Sequence, residues 1–229
     1  DLFGKLEKKS FSDINQLENK TLAESSITIS IAEIDEQIRK IENSSWNKFK
    51  VKCNGFNLKN TEKLLNLNRN IALDANASFT KEDCLFIQET SGFQKLMYIE
   101  QPLEIGNFGI LKNGNSVNWM ADEDCQDITF LEKLKPYYSS INIKLMKCGG
   151  LTPALEMITE AKKLGYKIML GCMTESSIGI SAGCAIAGLL DFADLDGANL
   201  ISNDYATGSF VDNGKIILSE KPGLGIALL

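Results

Sequence analysis

Short runs of β-prone apolar residues recur along the chain, and each is followed by a stretch whose apolar residues step at helical spacing. Eight runs are predicted as strands, at 27–31, 49–53, 71–75, 97–101, 118–122, 141–146, 167–171 and 193–196. Their starts lie roughly 21 to 26 residues apart, the room that one strand, one helix and two short loops require, so the repeat is β-α rather than hairpins. Between the first two strands Ile31, Ile34, Ile38 and Ile41 step by 3, 4 and 3, placing four branched side chains on one helix face. Thr80 with Asp83 predicts a capping box. Thr152 and Pro153 predict an N-cap and a first-turn proline before Ala154, Ile158 and Ala161, with Gly165 as the stop. Segment 176–190 is apolar nearly all round and is expected to be a buried helix. Eight parallel strands with intervening helices can close on themselves and leave no free edge. The expected fold is therefore α/β, a TIM-like (β/α)7β barrel. An open doubly wound sheet is the alternative, but no Gly-x-Gly-x-x-Gly turn follows the first strand.

The ends differ. Residues 1–26 are polar with a few helically spaced apolar positions, and are expected to be an exposed helix and linker, separate from the barrel at 27–201. In segment 202–229, Asn213-Gly214 between two short apolar runs predicts a hairpin, expected to pack outside the barrel. Because the chain opens with Asp1, we expect it to be part of a longer sequence.

Composition narrows the chemistry. The chain has 229 residues, 44% hydrophobic and 24% charged, which suits one sizeable core. With 24 Lys plus Arg against 30 Asp plus Glu, net charge -6, no basic stripe is available for nucleic acid or an anionic membrane, and a small-molecule partner is expected. No apolar run reaches the roughly 20 residues of a membrane span, and a cytoplasmic location is expected. Six cysteines without CxxC spacing read as reduced thiols, several of them buried. There is no histidine, so His-type zinc sites, Ser-His-Asp triads and His bases are excluded, and proton chemistry falls to Lys, Asp, Glu, Tyr or Cys.

Strands buried on both faces should be apolar. These carry charges in an ordered way. Lys50 and Lys52 lie two apart on the second strand, Asp74, Glu100 and Asp122 end the third to fifth, Lys144 lies on the sixth, and Asp194 and Asp196 lie two apart on the eighth. In a barrel of this type the C-terminal strand ends build the active site, so eight ionisable groups converge on one mouth. Three neighbouring carboxylates, Asp74, Glu100 and Asp122, repel unless a cation neutralises them, and an all-oxygen set suits Mg2+. Strands two and six lie across the barrel, so Lys52 and Lys144 are expected to face a substrate from opposite sides as two bases, with Lys50 stabilising charge on a substrate carboxylate. The divalent ion and a second ammonium are expected to lower the pKa of one lysine. Glu123, Asp124, Asp127 and Glu104 are read as ordinary loop or helix-start carboxylates, with Glu123 able to orient a ligand from behind.

These residues fall in recognisable strings: Lys50-Val51-Lys52, Leu73-Asp74-Ala75-Asn76, Ile99-Glu100-Gln101-Pro102, Met120-Ala121-Asp122-Glu123, Asn142-Ile143-Lys144 running to Gly149-Gly150, Gly171-Cys172-Met173-Thr174, and Asp194-Leu195-Asp196-Gly197. In this order the chain resembles the enolase superfamily, muconate-lactonizing subgroup, and most closely its dipeptide epimerases of the L-Ala-D/L-Glu type. The resemblance implies Asp74, Glu100 and Asp122 as Mg2+ ligands, Lys52 and Lys144 as the acid/base pair, and Lys50 as a contact for the substrate carboxylate. It places Met173 at the substrate, and gives Asp194 and Asp196 the substrate's α-ammonium. The implied reaction inverts the α-carbon of a dipeptide residue through an enediolate, with homo-oligomeric assembly common in the family. O-succinylbenzoate synthases and muconate cycloisomerases share the lysines and metal site and are the alternative, although their substrates carry no ammonium for the aspartate pair. The resemblance also implies an N-terminal α+β capping domain, largely missing from this chain, of which 1–26 would be the remnant. A barrel without that cover is expected to turn over poorly, because water weakens every electrostatic contact.

Overall fold

The computed structural model describes residues 1–18, 21–114 and 117–229. Eight strands, β1 (Ile27–Ile29), β2 (Lys48–Lys52), β3 (Asn70–Asp74), β4 (Ile99–Glu100), β5 (Trp119–Ala121), β6 (Ser140–Lys144), β7 (Lys167–Gly171) and β8 (Phe192–Asp194), form one sheet. Their spatial order is their sequence order and every neighbouring pair is parallel. The ring closes just before β1: Ser25 bridges Ala193 in parallel, and the Ser26 N–H donates to the Ala193 carbonyl at 2.9 Å. Ser25 and Ser26, expected in the linker, are therefore part of the closure, and both are buried.

Each of the eight predicted runs overlaps a strand, but several boundaries move. The sixth was expected to run to 146, yet β6 stops at Lys144 and a one-turn helix, Leu145–Cys148, begins. The turn ends in Gly149 and Gly150, both at positive φ, whose N–H groups return to the Leu145 carbonyl at 3.0 and 2.8 Å. The apolar run continues across both elements, so its periodicity hides the break. Ile31 lies before its helix, Ile34–Glu42, and is 59% exposed. The inward position goes instead to Gln37, whose amide donates to the carbonyls of Ser30 and Lys52 at 3.0 and 3.1 Å. Thr152 is not the N-cap: helix Leu151–Lys163 starts after Gly150 and takes Pro153 within its first turn, where a missing N–H costs nothing. The capping box of Thr80 and Asp83 and the stop at Gly165 (φ 72°) are as expected. Segment 176–190 is broken into helix Ser177–Cys184 and a 3-10 turn, Ala187–Leu189, rather than one helix.

Side chains alternate between two cores. Outward-facing Phe49, Val51, Ile71, Leu73, Ile99 and Trp119 pack with helix residues such as Ile41, Leu64, Ile87 and Met157 in one large cluster. Inward-facing Ala72, Tyr98, Met120 and Met169, all at 0% exposure, form a second, small cluster that plugs the barrel. Each large apolar side chain so buried contributes roughly 1.5–3 kcal/mol. Two residues further along three of these strands, at Asp74, Glu100 and Asp122, the interior becomes ionic, and that step creates the site.

Outside the ring, Phe210–Asp212 pairs antiparallel with Lys215–Ile217 across Asn213 (φ 47°) and Gly214 (φ 87°), the left-handed pair that a two-residue hairpin needs. The opening helices Leu2–Glu7 and Phe11–Ile14 are tied to the closing segment. The Phe11 N–H donates to the Gly223 carbonyl at 2.7 Å, and a Cβ on Gly4 would lie 2.7 Å from the Gly223 Cα. Residues 19 and 20, within the expected linker, lie outside the described residues. All six cysteines are free thiols, and no helix among the described residues is long and apolar enough to cross a membrane.

Candidate active site

A cavity of about 290 Å3 opens at the C-terminal ends of the strands, lined by Lys50, Lys52, Asp74, Lys144, Asp194 and Asp196, with Met173, Glu123, Asn76 and Thr28 at its walls. A larger cleft, about 550 Å3, opens by the strand starts at Met97, Asn118 and Lys167, but among its described residues it carries two lysines and no carboxylate. Acid/base chemistry needs groups of both signs, so the smaller cavity is the candidate.

Strand phase explains the convergence. Lys52 pairs with Asp74 and Asp74 with Glu100, while Lys144 pairs with Gly171 and Gly171 with Asp194, so these positions form two arcs at the strand ends; between the arcs the ladder runs from Glu100 to Met120 to Ser140. Lys50 lies one pleat below Lys52. Asp122 directly follows β5, and Asp196 lies two residues past β8. Glu100 and Asp122 do not line the cavity; they form its floor, at 0% and 1% exposure. Lys52 and Lys144, from strands four places apart in a ring of eight, stand on opposite walls. Met173 sits at the rim, 46% exposed.

Protein groups hold both oxygens of Asp74 and of Asp122, but only one of Glu100. Asp74 Oδ1 accepts from the Asn76 N–H at 3.1 Å, while Oδ2 accepts from Lys52 Nζ at 2.9 Å and lies 3.8 Å from Lys50 Nζ. Glu100 Oε1 accepts from Asn142 Nδ2 at 2.6 Å, while Oε2 accepts no hydrogen bond and lies 3.7 Å from Lys50 Nζ. Asp122 Oδ1 accepts from Lys147 Nζ at 2.5 Å, and Oδ2 from Lys144 Nζ at 2.7 Å. Lys50 Nζ also pairs with Asp194 Oδ2.

These contacts set the charges. Burial opposes the Lys50 ammonium, but Asp194, Glu100 and Asp74 outweigh it and hold its pKa well above the ordinary lysine value. Burial pushes the Glu100 carboxyl up to about 8, with Lys50 pulling the other way. Burial also opposes Asp122, yet Lys147 and Lys144 bring it below the usual carboxylate range. One of Lys52 and Lys144 was expected to be pulled down, and Lys144 is not the one. Here burial does lower it, but Asp122 outweighs burial and raises it, because a short charge-assisted bond stabilises the ammonium.

The same pairing bears on a metal. Among the described residues no three His, Cys, Asp or Glu side chains are gathered around one point, so the expected cage of Asp74, Glu100 and Asp122 is not formed as such. Lysine ammoniums occupy the space between the carboxylates. The donor set nevertheless fits a hard cation: every donor is a carboxylate oxygen, and Glu100 Oε2 and Glu123 Oε2 are buried without a hydrogen-bond partner.

On the far wall, Asp196 Oδ2 accepts from the Thr28 N–H at 2.7 Å and Asp194 Oδ1 has no hydrogen-bond partner. Burial, then the Asp194 charge, push the Asp196 carboxyl up to about 6. Two buried carboxylates side by side make a receptor for a cation.

Sequence reasoning missed several groups. Lys147 donates to the side chain and carbonyl of Asp122 and to the Asn142 carbonyl. Asn76 (φ 40°) accepts from Lys52 Nζ at 2.7 Å and reaches Glu123 Oε1 at 3.4 Å. Asp124, taken as an ordinary loop carboxylate, is 3% exposed and accepts from Gln101, Tyr138 and the Gly106 N–H, which fixes the loop after β5. The only signal for these was proximity to a motif.

Residues 33–229 match the family described as enolase C-terminal domain-like. The chain belongs to that family. This enolase-family barrel is 35% identical over 236 residues to an L-Ala-D/L-amino acid epimerase of Maribacter sp., covering 100% of the chain and 69% of the relative. It is 39% identical over 160 residues to an L-Ala-D/L-Glu epimerase of Bacteroides thetaiotaomicron, covering 68% of the chain but 42% of the relative. Among solved structures it is similar to a dipeptide epimerase from Methylococcus capsulatus complexed with Mg and the dipeptide L-Arg-D-Lys. The TM-score is 0.85 at 26% identity, over 98% of this chain and 69% of that one. The enolase-family barrel thus spans only part of the length of these relatives.

Proposed function

We propose that the chain is the catalytic barrel of a Mg2+-dependent dipeptide epimerase, residues 27–201 with Ser25 and Ser26 closing the ring, and with residues 1–24 and 202–229 packed outside it. One observation carries this reading: Lys52 and Lys144 face each other across a cavity that also holds the Asp194 and Asp196 pair. A substrate with an ammonium at one end and a carboxylate at the other suits such a cavity, and a dipeptide has both.

Asp74, Glu100 and Asp122 are the residues to hold Mg2+, which would neutralise charge gathering on the substrate carboxylate as the α-proton leaves. Lys50, buried among carboxylates, is fixed as an ammonium and supplies a second positive charge there. Asp194 and Asp196 hold the substrate's α-ammonium and so orient the α-carbon between the lysines. One lysine removes the proton from one face and the other returns a proton to the opposite face, inverting the centre. Lys144 acts as base only once its bond to Asp122 Oδ2 is given up, because that bond favours the ammonium. Met173 borders the substrate at the rim. Six free thiols fit a reducing compartment, and we assign the protein to the cytoplasm.

The test is solvent exchange. With Mg2+ and a dipeptide library in deuterated water, deuterium enters the α-position of one residue as its configuration inverts. Lys52→Met is expected to block exchange from one epimer and Lys144→Met from the other. Absence of exchange into every dipeptide would overturn the reading.

A further inference from the structure

We propose that Asn142 is a positioning residue that fixes Glu100 with a single oxygen toward the site, and that position 171 is glycine in order to seat the Asn142 amide. The inference rests on Glu100 being a metal ligand, as proposed above.

Asn142 lies on β6, faces the barrel interior and is 0% exposed. Its Nδ2 crosses to β4 and donates to Glu100 Oε1 at 2.6 Å. Its Oδ1 has no partner. A buried amide with half its capacity unused is unfavourable as packing, and leucine would fill the same volume without an orphaned oxygen, so what the site takes from Asn142 is its donor. With Oε1 held, the oxygen left to Glu100 is Oε2, which is buried, unpartnered and 3.7 Å from Lys50 Nζ. Asn142 thereby selects which carboxylate oxygen is available.

Gly171 supplies an independent observation on a neighbouring strand. It ends β7 without positive φ, so no backbone conformation calls for glycine there. A Cβ at 171 would lie 2.5 Å from Asn142 Oδ1, 2.7 Å from Nδ2 and 3.0 Å from Cγ. The amide is pressed against the Gly171 Cα, and any side chain would push it off. A glycine inside a strand is expected where another group approaches this closely. Gly171, Asn142 and Glu100 form a relay from β7 through β6 to β4.

Isothermal titration of Mg2+ into the wild-type chain, Asn142→Leu, Gly171→Ala and the double variant, at pH 8, tests the relay without any turnover measurement. Circular dichroism of each variant reports folding. Asn142→Leu is expected to bind Mg2+ 10- to 100-fold more weakly, the usual consequence of losing a group that orients a metal ligand. Gly171→Ala is expected to weaken binding less. The double variant should bind no more weakly than Asn142→Leu alone, because both changes act through one contact. Independent packing damage would instead add. If the wild type binds Mg2+ and Asn142→Leu binds it equally well, or if the two losses add in full, the relay is wrong while the metal reading stands. If the wild type binds no Mg2+, both fall. Should Asn142→Leu fail to fold, an unchanged affinity in Gly171→Ala is enough to overturn the relay.

Discussion

Two tiers of one barrel, a single pleat apart, make an instructive comparison. On three consecutive strands an apolar inward residue is followed two positions later by an acid: Ala72 then Asp74, Tyr98 then Glu100, Met120 then Asp122. The lower tier is sealed and apolar, and its value is the surface it removes from water. The upper tier is equally buried but ionic, and it is tolerable only because each carboxylate meets an ammonium or an amide. Charges left unpaired there would cost several kcal/mol each. The same backbone repeat carries both tiers, so stability and chemistry are separable by position along a strand.

The largest effect expected from separating them is on turnover. Lys144→Met should reduce epimerisation about 10²- to 10⁴-fold, the usual range for a lost proton-transfer group. It should leave thermal stability nearly unchanged, because Asp122 keeps Lys147. Steady-state rates beside a melting curve check both. A melting temperature that falls as steeply as the rate would erase the distinction between tiers.

Lys50→Met tests the comparison from the other side. Its ammonium lies within reach of Asp74, Glu100 and Asp194, so removing it strands buried negative charge and should cost about 3–5 kcal/mol in urea unfolding without metal. Met120→Ala in the lower tier should cost about 2–5 kcal/mol by leaving a cavity, with the rate per folded molecule nearly intact at low temperature. If Lys50→Met unfolds no more readily than wild type, the ionic tier contributes nothing to holding the barrel together.

How much of this was legible beforehand follows the same division. The ring was readable because strand spacing and alternation are local: Lys50 and Lys52 two apart on an apolar strand already imply a charged interior face. Gln37 in place of Ile31 and the early end of β6 at Lys144 were not, since an unbroken apolar run does not say which residue turns inward. Lys147 was illegible for a related reason. Its reach to Asp122 depends on the one-turn helix that starts at Leu145, and the apolar pattern hid that helix. Asn142 stood in phase with Lys144, but an amide between isoleucines gave no hint of Glu100 two strands away.

The smallest effect concerns Asp196 and separates it from the trio. Its carboxyl titrates at about 6 in the folded chain against 3.8 as an unperturbed group. A raised carboxyl pKa favours the protonated native form. The stability that this group contributes is therefore complete below about 3.8 and is lost as pH rises through about 6. Substrate binding runs in the opposite sense, because only the ionised carboxylate attracts an ammonium. Dipeptide affinity should therefore fall as pH drops below about 6, approaching roughly tenfold per unit. An N-acylated dipeptide, which has no ammonium, should show no such limb, and Asp196→Asn should abolish it for the free dipeptide. Glu100, titrating higher at about 8 and not part of the aspartate pair, would impose its limb on both ligands alike. Equal pH profiles for the free and acylated dipeptides would thus move the titration from the far wall to the floor of the site.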